Sequence, residues 1–342
     1  MPVRMKPFVS IITPVKDELE FVQECIHSVQ QLSYPKQYYE HIIVVDAASR
    51  VKDEVMGLQH SPSQKTKKTS TRANLRIIQG GIGSAANRNI GVEHASPKAK
   101  YLAFTDADCA VANHWLSVLI DKLEALESTP SFGVVGGLNV TPVSDSRLAH
   151  LLGALESTLV GGGNSAQATL WKHEKEVGSI PNCNAVYRRE LWQQEKQDET
   201  LLVGQDGEFN YRLRQRGVRF LITPKTFVYH HRQSSFFAYL RRMYKYGQAT
   251  RRTFRKHHGI LRTRWYAIGP VLLLLGTPAL LLLGIVWPFA LSILQSALLL
   301  YTSLLFLTMI IEVIPKVGII GALAPFVLLS QHVLYGIGFL RG

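Results

Sequence analysis

From residue 8 to about 230, short apolar runs alternate with amphipathic stretches, the pattern of an α/β domain. Phe8–Thr13 reads as a buried strand, and Leu19, Val22, Ile26 and Val29 follow at helical spacing. His41–Asp46 is a second strand, β-branched and closed by an acid. Leu75–Gln79 predicts a third, followed by a glycine turn at Gly80–Gly83 and a helix through Ala95. Tyr101–Thr105 predicts a strand running directly into Asp106-Ala107-Asp108, then come a helix at about Asn113–Leu126 and a strand at Phe132–Leu138. Gly161-Gly162-Gly163 marks a loop. Asn182–Arg189 is extended, a helix is expected from Asp206 to Arg216, and two short extended pieces lie near Phe220 and Val228.

The remaining chain has a different texture. Residues 57–74 are rich in Ser, Thr and Lys, too polar to pack, and predict a flexible surface insertion within a catalytic domain spanning 8–230. Residues 231–264 mix aromatics with Arg and Lys, as suits a helix lying in a membrane interface. No Asp, Glu, Lys or Arg occurs in the 47 residues from Trp265 to Ile311, nor in the 24 from Val317 to Leu340. A spanning helix needs about 20 apolar residues, so three spans are expected, at about 266–286, 289–311 and 317–340. Glu312–Lys316 would then form the loop between the last two, leaving the C-terminus outside. This argues against a wholly soluble protein.

Charge sharpens that picture. The 342 residues carry a formal +13, yet the segment from Arg212 to Arg264 alone holds fifteen Lys and Arg and no acid. The rest sums to −2, with 23 basic against 25 acidic residues. A basic block beside the first apolar run is a cytoplasmic flank under the positive-inside rule, which places the protein in the cell membrane as a multi-pass chain with a cytoplasmic catalytic domain. The same juxtaposition argues against nucleic acid as the partner. Three cysteines without CxxC spacing support neither a disulfide framework nor a zinc site. The first seven residues lack the apolar run of a cleaved signal peptide.

Asp106 and Asp108, at i and i+2 at a strand end, point the same way and can hold a hard divalent cation while phosphate oxygens complete its shell. Asp46 closes a neighbouring strand, on the edge where open α/β sheets bind ligands. Arg88, on the helix opened by the glycine turn, reaches toward a diphosphate, aided by the free N–H groups of the helix start. Asp206 stands at a predicted helix start, suited to capping or to general-base work. Gly81-x-Gly83-x-x-Ala86 also imitates a dinucleotide fingerprint, but two strands precede it where such a motif usually belongs to the first.

Taken in order, Val9-Ser10-Ile11-Ile12-Thr13-Pro14, Ile43-Val44-Val45-Asp46, Gly83 to Gly91, Phe104 to Asp108 and Gln205 to Leu213 resemble family 2 glycosyltransferases of the GT-A fold. The likeness is narrower still to membrane-anchored exopolysaccharide transferases of the succinoglycan type. It covers about Phe8 to Gly259. The resemblance implies a mainly parallel mixed sheet flanked by helices and a nucleotide-diphosphate-sugar donor, UDP-linked by family habit. It also implies Mg²⁺ or Mn²⁺, and inverting transfer to a polyprenyl-linked saccharide in exopolysaccharide or cell-surface glycan synthesis. Carried over residue by residue, Pro14, Lys16, Glu18 and Asp46 line the base and ribose. Asp106 contacts ribose or the metal shell, Asp108 binds the metal, Asp206 is the base, and Asn182 and Asn184 border the acceptor.

The chain departs from the family at Asp17, where Asn is usual, at Ala47, where a second Asp is usual, and at Gln205, where Glu is usual. Ala47 and Gln205 sustain an alternative, a non-catalytic nucleotide-sugar sensor in the membrane. Gln248-Ala249-Thr250-Arg251-Arg252 matches the Gln-x-x-Arg-Trp of processive synthases except at the Trp, which predicts one sugar added per encounter.

Overall fold

A computed structural model describes residues 5–60, 74–163, 166, 168–262 and 265–342. Residues 61–73, most of the expected insertion, lie outside the described residues. The chain divides into two compact units: Met1–Val140 with Leu170–His230, and Thr141–Thr169 with His231–Gly342. Residues 141–169 thus group with the C-terminal elements although they fall inside the range 8–230.

The first unit begins β1 (Phe8–Val15), α1 (Leu19–Gln30), β2 (Tyr39–Val45), α2 (Lys52–Gly57), β3 (Asn74–Gln79), α3 (Ser84–Glu93) and β4 (Ala99–Thr105). It continues through β5 (Cys109–Val111), α4 (Trp115–Ala125) and β6 (Phe132–Val140). The chain then contributes α5 (Arg147–Glu156) and α6 (Leu159–Gly162) to the second unit. It returns as β7 (Lys175–Val177), β8 (Asn184–Arg188), α7 (Arg189–Gln194), α8 (Gln205–Gln215) and β9 (Arg219–His230). The nine strands form one mixed sheet in the order β3-β2-β1-β4-β8-β6-β9-β5, with β7 also on β9. β3, β2, β1 and β4 are parallel, so the ends Val15, Val45 and Thr105 share one edge. The chain reverses direction between β2 and β4 around β1, the switch point at which open sheets hold ligands.

Side-chain alternation splits the core between the two faces of the sheet. Val9 and Ile11 of β1 with Tyr101 and Ala103 of β4 pack beneath Trp115, Leu119 and Leu123 of α4. Ile12 with Leu102 and Phe104 pack on the other face against Trp192 of α7 and Phe209 and Leu213 of α8. Phe104 and Trp192 stack at 4.6 Å, and Trp192 meets Phe209 at 4.6 Å. Centroid distances of this size add about 0.5–1.5 kcal/mol per pair beyond burial.

Two local expectations change. The extended pieces near Phe220 and Val228 are one twelve-residue strand, β9, whose pairing with β6 slips register between Gly136 and Leu138. Gly161 and Gly162 are helical rather than loop, because Thr158 caps α6 by accepting the Gly161 N–H at 2.9 Å; only Gly163 is left-handed, at φ +58°.

The second unit adds α9 (Phe236–Lys256), α10 (Gly269–Val286), α11 (Phe289–Leu307), α12 (Ile314–Val317) and α13 (Ala324–Arg341). Its core joins Leu151, Leu152 and Leu155 of α5 with Tyr239 and Met243 of α9 and Val327 and Leu328 of α13. The expectation of three spans is corrected to two long apolar helical stretches, Trp265–Val286 and Phe289–Arg341. The charged loop expected at Glu312–Lys316 is wound into a π turn at Thr308–Val313 and then α12, so it does not separate two spans. Moreover, α13 lies alongside α9 and runs in the same direction: Phe326 stacks on Phe236 at 5.7 Å, Gln331 meets Tyr239, and Gly342 accepts from Arg255 at 3.0 Å. Seven Lys and Arg stand on α9. At about 2.5–3.5 kcal/mol each in the bilayer centre, they make α9 an unfavourable membrane span.

Candidate active site

The parallel edge of the sheet gathers the acids picked out in the sequence. Asp46 follows β2 and is 1% exposed. Its carboxylate accepts the Ala48 N–H at 2.9 Å, the Gly83 N–H at 2.7 Å and Asn87 Nδ2 at 3.2 Å. Asp46 therefore braces the glycine turn against the strand end. Gly83 carries φ +92° and ψ 154°, a conformation open essentially to glycine alone, and so presents its N–H to that carboxylate. One N–H of the apparent dinucleotide cradle is thereby already engaged from within the chain.

Asp106 and Asp108 follow β4 with about a third of each side chain exposed, at 31% and 32%. Arg88, 2% exposed on α3, lies between two of the site's acids. Its Nη2 donates to Asp106 Oδ1 at 2.7 Å and its Nη1 to Asp206 Oδ1 at 3.1 Å. Burial alone would lower the guanidinium's pKa, but the two carboxylates outweigh that and raise it, so Arg88 stays charged. Asp106 moves upward through burial, with Arg88 opposing the shift. Asp206, at the first turn of α8, also accepts the Asn182 N–H at 3.1 Å and Gln197 Nε2 at 3.3 Å. A carboxylate held by three donors from separate parts of the chain, 23% exposed, is placed so that it can act as a general base.

Beside Asp108 the register of β5 on β9 sets Cys109 opposite His230. His230 Nε2 lies 3.6 Å from Asp108 Oδ2 and Cys109 Sγ lies 3.7 Å from Asp108 Oδ1, so carboxylate, imidazole and thiol converge within 4.8 Å of one another. These residues fit a divalent cation. Cys109 also hydrogen-bonds Cys183, which lowers the Cys183 pKa, whereas burial raises that of Cys109.

The other expected site residues are placed less uniformly. Pro14 is buried in β1 opposite Val44, and Lys16 is exposed just beyond the strand. Glu18 turns back to accept the N–H of Lys16 at 2.7 Å and of Asp17 at 3.0 Å. Burial raises its pKa, and the Asp108 charge adds to the rise, so Glu18 belongs to the same rim. Asn182 is fully buried, with Oδ1 2.9 Å from the Tyr187 hydroxyl. Asn184 works inside the core: Oδ1 accepts from Trp115 Nε1 at 2.7 Å and the Gly137 N–H at 3.3 Å, while Nδ2 donates to Leu138 O and Asn139 Oδ1. Among the described residues, the rim thus brings together Glu18, Arg88, Asp106, Asp108, His230 and Asp206, with Asp46 and Asn184 behind it.

The family 2 glycosyl transferase profile matches residues 10–192, more than half of the chain. The chain belongs to this family. As a family 2 glycosyltransferase it is an enzyme, and the sensor alternative gives way. It is similar to the glycosyltransferase AglE of Haloferax volcanii, 38% identical over 112 residues, covering 32% of this chain and 33% of that protein. That match spans only a third of AglE's length. A transferase of Methanococcus voltae is 23% identical over 254 residues, 73% of this chain and 74% of its own. Its name is dolichyl N-acetyl-alpha-D-glucosaminyl phosphate 3-beta-D-2,3-diacetamido-2,3-dideoxy-beta-D-glucuronosyltransferase. Among solved structures, the mannosyltransferase PcManGT from Pyrobaculum calidifontis, in complex with GDP-Man and Mn²⁺, superposes with a TM-score of 0.58 at 16% identity. The superposition covers 99% of this chain and 87% of that one, a likeness of fold. The α/β GT-A fold expected from the sequence is the fold observed.

Within this family 2 site, sequence reasoning overlooked Gln197 and Asn87, which orient Asp206 and Asp46, and Cys109, whose neighbours are brought in only by strand register. Asn87 sits inside the quoted Gly83–Gly91 run, so its presence was visible but its partner was not. Gln205 does not face Asp206 through its amide; its Nε2 reaches Ser84 Oγ.

Proposed function

We propose that this family 2 glycosyltransferase moves a sugar, with inversion, from a nucleoside-diphosphate donor to a saccharide on a polyprenyl lipid. Transfer takes place at the cytoplasmic face of the cell membrane, one sugar per encounter, in exopolysaccharide or surface-glycan synthesis of the succinoglycan kind. The observation that carries this reading is the Arg88 bridge, which holds Asp106 and Asp206 at one rim although they come from elements 100 residues apart in sequence. The nucleotide base and ribose lie over Lys16 and Glu18 beyond β1. Asp108 with His230, and Asp106 beside them, would hold Mg²⁺ or Mn²⁺, which would neutralise charge on the departing diphosphate.

Asp206 receives the proton of the acceptor hydroxyl as its oxygen bonds the anomeric carbon and the bond to the diphosphate oxygen breaks. Arg88 fixes that carboxylate, and the Asn182 N–H sets its second oxygen. The lipid-linked substrate in the Methanococcus voltae enzyme's name supports the acceptor class, and the GDP-Man and Mn²⁺ in PcManGT support the donor class and cation. UDP stands as the default base.

The test is calorimetric donor binding to the detergent-purified chain, across UDP-, GDP- and dTDP-sugars with and without Mn²⁺, followed by transfer to a lipid-linked saccharide. Cation-dependent binding of one nucleotide class, lost in Asp108→Ala, is expected. In Asp206→Asn donor binding persists while transfer falls by about 10²–10⁴-fold. Undiminished transfer by Asp206→Asn would remove Asp206 as the base.

A further inference from the structure

We propose that Asp108, Cys109 and His230 form a mixed oxygen, sulfur and nitrogen site that takes zinc-class cations in preference to magnesium. The role of this pocket as the donor's cation site belongs to the reading above; the metal preference can be measured without donor. Three observations build it. First, Cys109 and His230 are cross-strand partners on β5 and β9, so their side chains leave the same face of the sheet, and Asp108 adjoins Cys109 in the chain. Second, the spacing comes close to that of a tetrahedral ion. With ligand bonds of about 2.0–2.3 Å, the edge of the tetrahedron is about 3.3–3.8 Å. Asp108 Oδ2 lies 3.6 Å from the imidazole and its Oδ1 3.7 Å from the thiol, and one donor atom from each of the three residues falls within 4.8 Å of the others, so a shift of about 1 Å closes the set to that edge.

Third, the surroundings orient the donors. Asn139 Nδ2 lies 3.4 Å from His230 Nδ1, and the ring turns its Nε2 toward Asp108. The same amide nitrogen donates to Cys183 Sγ at 3.2 Å, and Cys183 in turn pairs with Cys109. Cys109 is 1% exposed and the His230 side chain 12%, while Asp108 at 32% leaves one side open to a water or a phosphate oxygen. A sulfur donor discriminates by softness: thiolate favours zinc, whereas magnesium prefers oxygen ligands and its own water. On binding, the Cys109 thiol releases its proton to the buffer as the sulfur–metal bond forms. A zinc-class ion held here competes with the cation that supports transfer, so micromolar zinc is expected to inhibit.

The experiment uses the full chain in detergent, stripped with a chelator and titrated with Co²⁺ as a spectroscopic stand-in for zinc. The expected result is a thiolate-to-cobalt band in the near ultraviolet with the visible bands of a four-coordinate ion. Zn²⁺ should bleach it at stoichiometric amounts, whereas an excess of Mg²⁺ of about 100-fold should not. Cys109→Ser should abolish the band and weaken zinc at least about 100-fold, while Cys25→Ser retains both. A six-coordinate spectrum without a thiolate band in the unaltered protein overturns the proposal, whatever the folding of any variant. So does a band that survives in Cys109→Ser. Failure of the transferase reading would register separately, as absent donor binding with Mn²⁺.

Discussion

Arg88 concentrates the electrostatics of the site in one side chain. Its own side chain is 3% exposed and it faces two carboxylates that are less than a third exposed. Removing the charge while keeping the bulk, as in Arg88→Met, leaves both acids without their cation. Breaking a buried pair costs about 3–5 kcal/mol, and partial exposure of the acids brings that to about 2–3 kcal/mol. For a unit of this size that is a fall in Tm of roughly 5–10 °C; an unchanged Tm would show that solvent or another donor already serves the acids. Asp17 offers a gentler contrast. The Arg50 N–H donates to it at 2.9 Å and lowers its pKa from 3.8, against a desolvation cost, with the Arg50 guanidinium at 3.1 Å adding to the effect. A lowered carboxylate pKa stabilises above the unfolded value and loses that contribution as pH falls through the folded one. Asp17→Asn, which installs the family's usual residue, should therefore cost about 0.5 kcal/mol at pH 7, with the difference fading below about pH 4. Thermal melts across that range would show it. At this scale the sequence disclosed residue types well: Asp106, Asp108 and Asp206 stand at one rim as their motifs implied. It did not disclose partners. Nothing in the one-dimensional pattern showed that Asp46 would hold a glycine turn or that the Asn184 amide would bond Trp115, Gly137 and Leu138 inside the core.

Secondary elements were legible wherever periodicity was strong. The strands β1, β2 and β4 appear within two residues of their expected starts and ends, because uninterrupted β-branched and aromatic runs leave no competing pattern. β9 was divided in expectation because Thr223-Pro224-Lys225 reads as a break; proline is accommodated where the pairing with β6 slips. The contact of α9 with α13 was not legible, since it depends on small residues meeting across 90 positions. A Cβ on Gly247 would overlap the Tyr335 carbonyl oxygen, and one on Gly338 the carbonyl of Tyr244. Gly247→Val should force these helices apart and expose the basic positions between Arg241 and Lys256 to trypsin. Gly276→Val on α10, where no atom lies within 4 Å of a new Cβ, should leave cleavage unchanged. Equal cleavage in the two variants would mean the helices do not depend on that close approach.

For the whole molecule, the decisive feature is which apolar helices can face lipid. α10 and α11 leave many large apolar side chains exposed, among them Leu272, Leu282, Ile285, Leu300 and Phe306, each more than half accessible. They meet at the Trp287-Pro288 step, as a membrane hairpin would. Composition alone gave α13 the same status, since length and hydropathy carry no information about a neighbour. In the fold α13 lies against α9, whose exposed positions include Arg241, Lys245, Arg252, Arg255 and Lys256. A stripe of that charge draws anionic headgroups at about 1 kcal/mol per residue and holds its helix at the surface. Gly342 accepts from Arg255 at 3.0 Å, so the end of α13 lies beside α9. We expect two crossings rather than three, with Gly342 on the cytoplasmic side under the positive-inside rule, opposite to the outside placement that three spans would give. In intact cells a C-terminal epitope should be inaccessible until the membrane is permeabilised, whereas Trp287→Cys at the hairpin tip should react with an impermeant maleimide from outside. A C-terminal epitope accessible on intact cells would restore the third crossing and require α13 to leave α9.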